Sequence, residues 1–285
     1  MRTFLSTICL VIITSLSFGQ RLQTPTLSPI TKITQQIGLT EIGLEYSRPS
    51  AKERIVFGEL VPFDKIWRTG ANASTKITLE ESAEIGGNPV EQGTHAIYTI
   101  PGKDKWTIII HSNTKMRSLA GGAYKKENDL FRFEVVPEKT KDYVDTFTLQ
   151  FANLTSNTVQ LKLSWENTVV NIPIKVEVDK KIAKQMETFL KQPEKIPHRT
   201  YFEAAQYNLN NKKDLNEALN WINAGLDKSP KNFRYGLLKA KIYAKQGDKK
   251  MAMKTIIEAN TWAVQAKNEN YIEQTALFQK SLEKK

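Results

Sequence analysis

Two segments in the first quarter of the chain combine residue types that can bind an anion or a sugar. The candidate ligand-binding residues in these segments are Arg48, Arg54, Trp67, Arg68 and Asn72. Arginine presents a planar set of donors that matches a carboxylate or a phosphate, and tryptophan offers a flat face to a sugar ring or a cation. Both segments are predicted to be loops between strands, where binding residues are frequent. Together they predict a site for an anionic or carbohydrate ligand.

The same residues also allow a purely structural interpretation. In that interpretation Trp67 closes one end of a β-sandwich and Gly70 serves a turn. The arginines then pair with the nearby carboxylates of Glu45, Glu59 or Asp64. A long irregular segment needs anchoring, and the long side chains of tryptophan and arginine provide it. The sequence leaves the two interpretations open.

Two histidines flank a predicted Pro-Gly-Lys-Asp turn at residues 101–104. If residues 101–105 form a five-residue loop, His95 and His111 pair directly across the hairpin, and His95 is therefore added to the candidate ligand-binding residues. A catalytic zinc site takes three protein ligands, and no histidine or glutamate spacing supplies the third. His198 lies in a proline-containing stretch. We therefore predict no metal. The alternative is that His95 and His111 are separate polar strand residues, one of them buried and hydrogen-bonded.

Residues that would support nucleophilic or phosphate chemistry do not occur in their usual contexts. The chain has no Gly-x-Ser-x-Gly motif, and its single cysteine, Cys9, lies in the N-terminal apolar run. The Gly-Gly pairs at 86–87 and 121–122 fall in predicted turns of a β region, so neither a phosphate-binding loop nor a cofactor is predicted. Glu166 beside Trp165 could act as a general acid, but one glutamate is not a catalytic pair. No catalytic residue is assigned.

Residues 1–19 have the layout of a secretory signal peptide. A positive charge at Arg2 precedes an apolar run, and small residues precede a cleavage position after Gly19. Cys9 would leave with this segment, so the mature chain would contain no cysteine and no disulfide. No later stretch reaches about 18 consecutive apolar residues, so no transmembrane segment is predicted. The expected location after export is the periplasm or the medium.

Two patterns of apolar residues divide the rest of the chain. Residues 31–178 alternate apolar and polar side chains and are rich in β-branched and aromatic residues, which predicts roughly eight to ten antiparallel strands. From about residue 179 the apolar spacing becomes helical. The expected fold is mainly β plus α. It comprises a jelly-roll-like antiparallel β-sandwich over 20–178, a helix and proline-containing linker over 179–198, and a helical repeat-like domain over 199–285.

An interval of 34 residues recurs in the helical part. The pairs separated by it are Leu209 and Tyr243, Asp214 and Asp248, Ala218 and Ala252, and Ile222 and Ile256. Tetratricopeptide repeats resemble this pattern, because they have the same period and place small residues where paired helices cross closely. The second copy has Val264 where the closing proline, Pro230 in the first copy, would fall, which predicts a longer second helix. A helix over 271–283 would close the stack.

Positive charge is concentrated in the helical part. The whole chain is 40% hydrophobic and 25% charged, which is close to the globular average and excludes a disordered protein. Residues 179–285 hold 21 Lys and Arg against 12 Asp and Glu, a net charge of +9, whereas the whole chain carries +11. This balance suits an acidic envelope protein or an anionic glycan, and nucleic acid is not expected for an exported protein. The alternative is that single lysines only solvate exposed helix faces.

Three uncommon strings occur at residues 46–52, 57–63 and 66–72, and the last reads Ile-Trp-Arg-Thr-Gly-Ala-Asn. Further strings lie at 93–102, 106–109, 122–124 and 163–166. Over about residues 28–178 they resemble the exported bacterial family catalogued as domain of unknown function 2911. Members of that family often carry a tryptophan before Gly-Ala-Tyr, where this chain has Ser118 to Gly121. The resemblance implies export and a β-rich domain, and it implies no established reaction.

We therefore expect an exported envelope protein that binds a ligand or a protein partner and catalyses no reaction. The alternative is a carbohydrate-active or other small-molecule enzyme, in which His95, His111 or Glu166 would converge on one pocket that holds Arg68. A third interpretation is a purely structural envelope protein. The oligomeric state is not predicted.

Overall fold

The computed structural model describes residue 22 and residues 24–284, and the predicted signal peptide lies outside them. The strands of this part of the chain are β1 (Ile30–Ile37), β2 (Thr40–Ser47), β3 (Thr75–Leu79), β4 (Ala83–Ile85), β5 (Asn88–Val90), β6 (Gly93–Ile100), β7 (Trp106–His111), β8 (Asp129–Val135), β9 (Glu138–Ala152) and β10 (Thr158–Val176). The α-helices are α1 (Asp179–Leu190), α2 (His198–Asn210), α3 (Leu215–Lys228), α4 (Phe233–Gln246), α5 (Lys249–Gln265) and α6 (Glu269–Glu283).

The strands form two antiparallel sheets that face each other. One sheet has six strands in the order β1-β2-β3-β6-β7-β8, and the other has four in the order β5-β4-β10-β9. Inward-pointing side chains from both sheets, such as Ile77, Ile108 and Leu163, are completely buried and form one core. The expected fold class is confirmed, because the molecule is an open, sandwich-like arrangement of antiparallel sheets followed by six helices.

The outer face of the six-stranded sheet is covered as well. Tyr98 and Ile109 point to that side and pack with Met116 and Leu119 from the irregular segment between β7 and β8. Because β7 is buried on both faces, its sequence is almost continuously apolar rather than alternating.

After β2 the chain leaves the six-stranded sheet and pairs with the outer edge of the other sheet. The Phe147 N–H donates to the Pro49 carbonyl at 2.9 Å, and the Ala51 N–H donates to the Asp145 carbonyl at 2.8 Å. β9 is the last strand of its sheet, so its outward backbone groups have no neighbouring strand to pair with. Residues Pro49–Ala51, which we call the crossing segment, satisfy part of that edge. They also join the two sheets, covalently through β2 and by hydrogen bonds to β9.

A tyrosine at the end of β2 extends the same link. The Tyr46 hydroxyl donates to the Leu149 carbonyl at 2.9 Å and accepts from the Leu149 N–H at 3.0 Å. Tyr46 is 2% exposed, so both bonds lie inside the sandwich. One hydroxyl thus takes the place that a neighbouring strand would fill beside Leu149.

Residues 34 positions apart occupy equivalent places in the two helix pairs α2–α3 and α4–α5. The Asp214 carboxylate accepts N–H bonds at the start of α3, and the Asp248 carboxylate does so at the start of α5. Ala218, Ala252, Ile222 and Ile256 are all completely buried. As the missing proline predicts, α5 is longer than α3, with 17 residues against 14.

The helices of one pair approach each other closely. At Gly236 of α4 an added Cβ would come within 2.7 Å of the Ala259 Cβ on α5, so only a glycine fits this crossing.

Among the described residues, no helix has the length and apolarity needed to span a membrane.

Polar contacts link the helices to the sandwich, as in the ion pair of Lys181 with Glu81, and also link the helices to one another. Asp179, the first residue of α1, accepts a hydrogen bond from the Tyr207 hydroxyl of α2 and pairs with Lys213 in the α2–α3 loop, each at 2.5 Å. Ile182 and Tyr207 also pack against the sandwich core. The hydrogen bond from Lys213, then that from Tyr207, and the charge of Lys213 hold the pKa of Asp179 below its ordinary value. We call these contacts of Asp179 the junction.

Replacing Tyr46 with Phe should destabilise the sandwich. The change keeps the ring but leaves the N–H and the carbonyl of Leu149 without partners, which costs about 2–4 kcal/mol of unfolding free energy. Urea unfolding followed by tryptophan fluorescence measures the loss. Tyr143→Phe on β9 is the matched control, because Tyr143 is 54% exposed and should lose almost nothing. Equal unfolding midpoints for the two variants would contradict the role of the Tyr46 hydroxyl.

The junction should make stability depend on acid. A carboxylate whose pKa is lower in the folded chain stabilises the fold above its unfolded pKa of about 3.9, and that contribution disappears as the pH falls further. Asp179→Asn should therefore unfold more easily at pH 7, by less than about 1 kcal/mol because the site is partly exposed to solvent. The difference from the unmodified chain should shrink below about pH 4. Thermal unfolding at several pH values tests this, and a difference that grows in acid would refute it.

Candidate functional site

Half of the predicted binding residues line a cleft at the end of the sandwich. Its volume is about 430 Å³, within the usual range for small-molecule sites. Of the candidates, Arg54, Trp67 and Arg68 line it. Lys52 and Trp165 also line it, and neither was among the residues selected from the sequence. We call this feature the aromatic cleft.

One wall of the aromatic cleft is the surface of a packed aromatic cluster. The rings of Trp67 and Trp165 stack with their centroids 5.7 Å apart and an angle of 21° between their planes. Phe57, Trp106 and Phe147 meet Trp67 edge to face. Trp67 therefore combines the two roles considered for it, since it fills the end of the sandwich and also faces the cleft.

The Trp67 ring is held in position by its nitrogen. The indole N–H donates to the Gly70 carbonyl at 3.0 Å. Gly70 has a φ of +145°, a conformation that favours glycine, and an added Cβ there would lie 3.0 Å from the Ser47 carbonyl oxygen. Gly70 therefore serves the turn expected for it, and its carbonyl also fixes the orientation of Trp67.

Arg54 closes the loop that follows the crossing segment. Its Nε donates to the Ala51 carbonyl and its Nη2 to the Ser50 carbonyl, both at 2.8 Å. Lys52, inside this loop, has a φ of +50°, and its backbone N–H donates to the Asp145 carboxylate at 2.9 Å. Since these bonds use the backbone of Lys52, its charged side chain is left to line the cleft.

Arg68 links the cleft to the segment that covers the outer face of the six-stranded sheet. Its Nη1 donates to the Asn72 carbonyl at 2.6 Å and to the Arg117 carbonyl. Behind it, the hydroxyls of Ser74 and Tyr98 are buried and have no hydrogen-bond partner within the described part of the chain. Burial raises the pKa of Tyr98, and the Ser74 hydroxyl and the Arg68 charge act in the opposite direction.

Three predicted binding residues, Arg48, Asn72 and His95, do not line the aromatic cleft. Arg48 donates from Nε to the Phe147 carbonyl at 3.1 Å and from Nη2 to the Thr148 hydroxyl at 2.7 Å. The Asn72 side chain donates to the Ser28 carbonyl at 3.3 Å and to the Ser47 hydroxyl at 3.4 Å, and its backbone carbonyl accepts from Arg68. Arg48 therefore ties the crossing segment to β9, and Asn72 holds the rim of the cleft.

The arginines do not form the ion pairs that the structural interpretation suggested. None of Arg48, Arg54 and Arg68 pairs with a carboxylate within residues 24–284. Glu45 instead pairs with Lys32 and Lys76, whose hydrogen bonds lower its pKa. The arginines bond to carbonyl and hydroxyl oxygens, which leaves their positive charge uncompensated.

The lining of the aromatic cleft is therefore positive. Its charged residues are Lys52, Arg54 and Arg68, and no carboxylate is among the described residues that line it. These cations are not paired with a carboxylate within the described part of the chain, and an anion entering beside an apolar wall would be attracted to them more strongly than in bulk water.

The two histidines of the β6–β7 hairpin lie on opposite faces of the sheet. His111 pairs with Ala96, and Ile100 pairs with Thr107, so the loop is one residue longer than the five-residue loop that would bring His95 opposite His111. The observed register is the one that keeps both Ile97 and Ile110 on the core side. A shift of one residue moves a side chain to the other face, so the direct pairing of His95 with His111 is wrong.

Each histidine is engaged separately. The Nε2 of His95 lies 2.9 Å from the Glu91 carbonyl near the surface. His111 is completely buried, with its Nδ1 accepting from the Asn113 N–H at 3.0 Å and its Nε2 3.2 Å from the Lys125 carbonyl. No group of three possible metal ligands occurs among the residues that the structure describes.

Glu166 belongs to the wall behind the aromatic cleft rather than to its lining. Its carboxylate accepts from the Val56 N–H at 3.0 Å and lies 3.5 Å from the Phe57 nitrogen. This contact fixes the loop between the crossing segment and Trp67. The three candidates for acid–base chemistry, His95, His111 and Glu166, therefore do not converge on a pocket with Arg68.

Substitution of the two histidines should separate their roles. His111→Ala removes a buried ring and leaves the Asn113 N–H and the Lys125 carbonyl unpaired, so we expect a loss of about 2–4 kcal/mol of unfolding free energy. His95→Ala, the matched change on the neighbouring strand, should cost less than about 1 kcal/mol. Chemical denaturation of both variants decides the matter, and a larger loss for His95 would contradict the assignment.

The comparisons with known proteins agree with the β part of the molecule. One family model, described as a protein of unknown function (DUF2911), matches residues 28–174, which is more than half of the chain. The match covers β1 to β9 and the described residues that line the aromatic cleft except Leu27, and it stops near the end of β10. No curated protein and no solved structure matches the chain.

Proposed function

The chain belongs to the DUF2911 family, and we propose that it is a non-enzymatic protein that binds an anionic ligand in its aromatic cleft. One observation carries the proposal: Lys52, Arg54 and Arg68 line a cleft beside stacked tryptophans, with no carboxylate among the lining residues. A ring that bears a carboxylate fits this combination, because its flat face can lie on tryptophan while the arginines meet the acid. The ligand class that we propose is an anionic glycan built from sugar acids.

Binding is favoured over catalysis by the chemistry of the lining. Its titratable groups are cations, and none of the candidate acids and bases reaches the cleft. The Ser50 hydroxyl, which does line it, forms a hydrogen bond with the Thr146 hydroxyl at 2.8 Å. A hydrolase or isomerase would need a general acid or base within reach of the bound sugar.

The rest of the chain fits this role in an exported protein. We propose that residues 1–19 direct export and that cleavage near Gly19 releases the protein to the periplasm or the medium. We also propose that residues 199–285 form a tetratricopeptide-like domain, because positions 34 apart hold equivalent caps and equivalent buried residues. The net charge of +9 over residues 179–285 supports an acidic envelope protein as its partner.

Calorimetric titration with two trisaccharides tests the proposal for the aromatic cleft. The chain should bind a galacturonate trisaccharide, and the neutral galactose trisaccharide should bind at least about tenfold more weakly, a difference of 1.4 kcal/mol. Binding of the acidic sugar should weaken as salt is raised, because salt screens exposed charges.

The charge of Lys52 provides the matched mutational test. Lys52→Gln should weaken galacturonate binding by about two- to fivefold, as expected for one exposed ion pair. Lys65 is an exposed loop residue that does not line the aromatic cleft, so Lys65→Gln should leave galacturonate binding unchanged. Arg68→Gln should weaken it more than Lys52→Gln does. The proposal fails if both trisaccharides bind equally, if neither binds, or if the Lys52 and Lys65 variants cannot be distinguished.

A further inference from the structure

A second cleft lies on the helical part, where the first turns of α2 and α4 meet the loop between α3 and α4. Its volume is about 680 Å³, larger than that of the aromatic cleft. The side chains of Arg199, Lys231 and Arg234 line it together with those of Phe202 and Tyr235. We call it the basic cleft.

The charges of the basic cleft do not cancel. Glu203 is the acidic residue among the described lining residues, and Arg199 already pairs with it at 2.7 Å. Lys231 and Arg234 have no carboxylate partner in the part of the chain that the structure describes. Arg234 instead lies over the ring of Tyr271, 5.5 Å from its centre, which holds the guanidinium in place without neutralising it. Two positive charges therefore remain for a partner.

The floor of the basic cleft is aromatic and held in a fixed arrangement. Phe202 and Tyr235 stack with centroids 4.8 Å apart and planes 22° apart. The Tyr235 hydroxyl and the Nδ1 of His198 share a hydrogen bond of 2.6 Å, which fixes the orientation of the Tyr235 ring against Phe202. Phe233, which packs on Tyr271 at 4.9 Å, adds apolar surface at the opposite side.

We propose that the basic cleft binds an acidic segment of a partner protein. Carboxylates of the segment would pair with Lys231 and Arg234, and one of its apolar side chains would lie on the partly exposed ring of Phe202, which stacks on the buried ring of Tyr235. Charge complementarity supports this occupant, because the cleft has two uncompensated cations within a helical part of net charge +9. The apolar floor favours a peptide with mixed side chains over a uniformly polar chain.

This inference deepens the proposal of an acidic partner for the helices and does not depend on the ligand of the aromatic cleft. Lys52→Gln, which should weaken binding of galacturonate, should leave binding at the basic cleft unchanged. The two proposals can therefore fail separately.

The test uses the full chain and a fluorescein-labelled peptide in which glutamates surround one phenylalanine. Fluorescence anisotropy should show that this peptide binds and that the same peptide with glutamine in place of glutamate does not. The double charge reversal Lys231→Glu and Arg234→Glu should weaken binding at least about tenfold, which corresponds to 1.4 kcal/mol. Thermal unfolding of the variant confirms that it folds, and an acidic residue in the first turn of α4 suits a helix N-terminus.

The matched control reverses two other charges on the same helix. Lys241 and Lys245 are exposed on α4 and do not line the cleft, so Lys241→Glu with Lys245→Glu changes the net charge equally and should alter binding less than about twofold. Phe202→Ala should also weaken binding, because it removes half of the aromatic floor. Equal losses in the two double variants would overturn the proposal in favour of general attraction to a basic protein. Displacement of the peptide by the galacturonate trisaccharide at the basic cleft would overturn it in favour of a glycan.

Discussion

The structure of the β part depends on one edge of one strand. β9 ends the four-stranded sheet, and part of its outward backbone edge is satisfied by the segment Pro49–Ala51 and by the hydroxyl of Tyr46. A sheet edge without partners leaves a row of N–H and C=O groups that can pair with other chains. Because the chain runs directly from β2 of one sheet to this edge of the other, a single stretch of sequence both covers the edge and joins the sheets.

The aromatic cleft follows from the same crossing. Once the chain has paired with β9 it must turn back, and Lys52 and Glu53 do so with positive φ values. Arg54 and Glu166 then bind the exposed carbonyls and N–H groups of the returning loop. Arginine suits this task because one guanidinium can serve several carbonyl oxygens. The positive lining is therefore a consequence of how the loop is held, and the structural and ligand-binding interpretations of these residues describe the same arrangement.

The sequence predicts well what depends on local periodicity and poorly what depends on distant partners. The alternation of apolar residues predicted the strands, and the 34-residue interval placed Asp214 and Asp248 at equivalent helix starts. The pairing of His95 with His111 was wrong by one residue, because the core-facing requirement of Ile97 and Ile110, rather than the turn signal, fixes the register. The carboxylate partners suggested for the arginines were wrong, because the arginines donate to backbone carbonyls instead. Every residue has a backbone carbonyl, so the sequence does not mark which ones accept these bonds.

The two clefts differ in how their cations are held, and this difference bears on what each can do. In the aromatic cleft Arg54 and Arg68 are committed to backbone carbonyls, so a ligand meets charges whose positions are already fixed and loses little by ordering them. In the basic cleft Lys231 is exposed and free of carboxylates among the described residues, so a partner must order it, and Arg234 is held by the ring of Tyr271 alone. The first arrangement suits selection of a small rigid ligand by geometry. The second suits a flexible acidic segment, whose affinity is set by charge and by one apolar contact on the stacked rings of Phe202 and Tyr235.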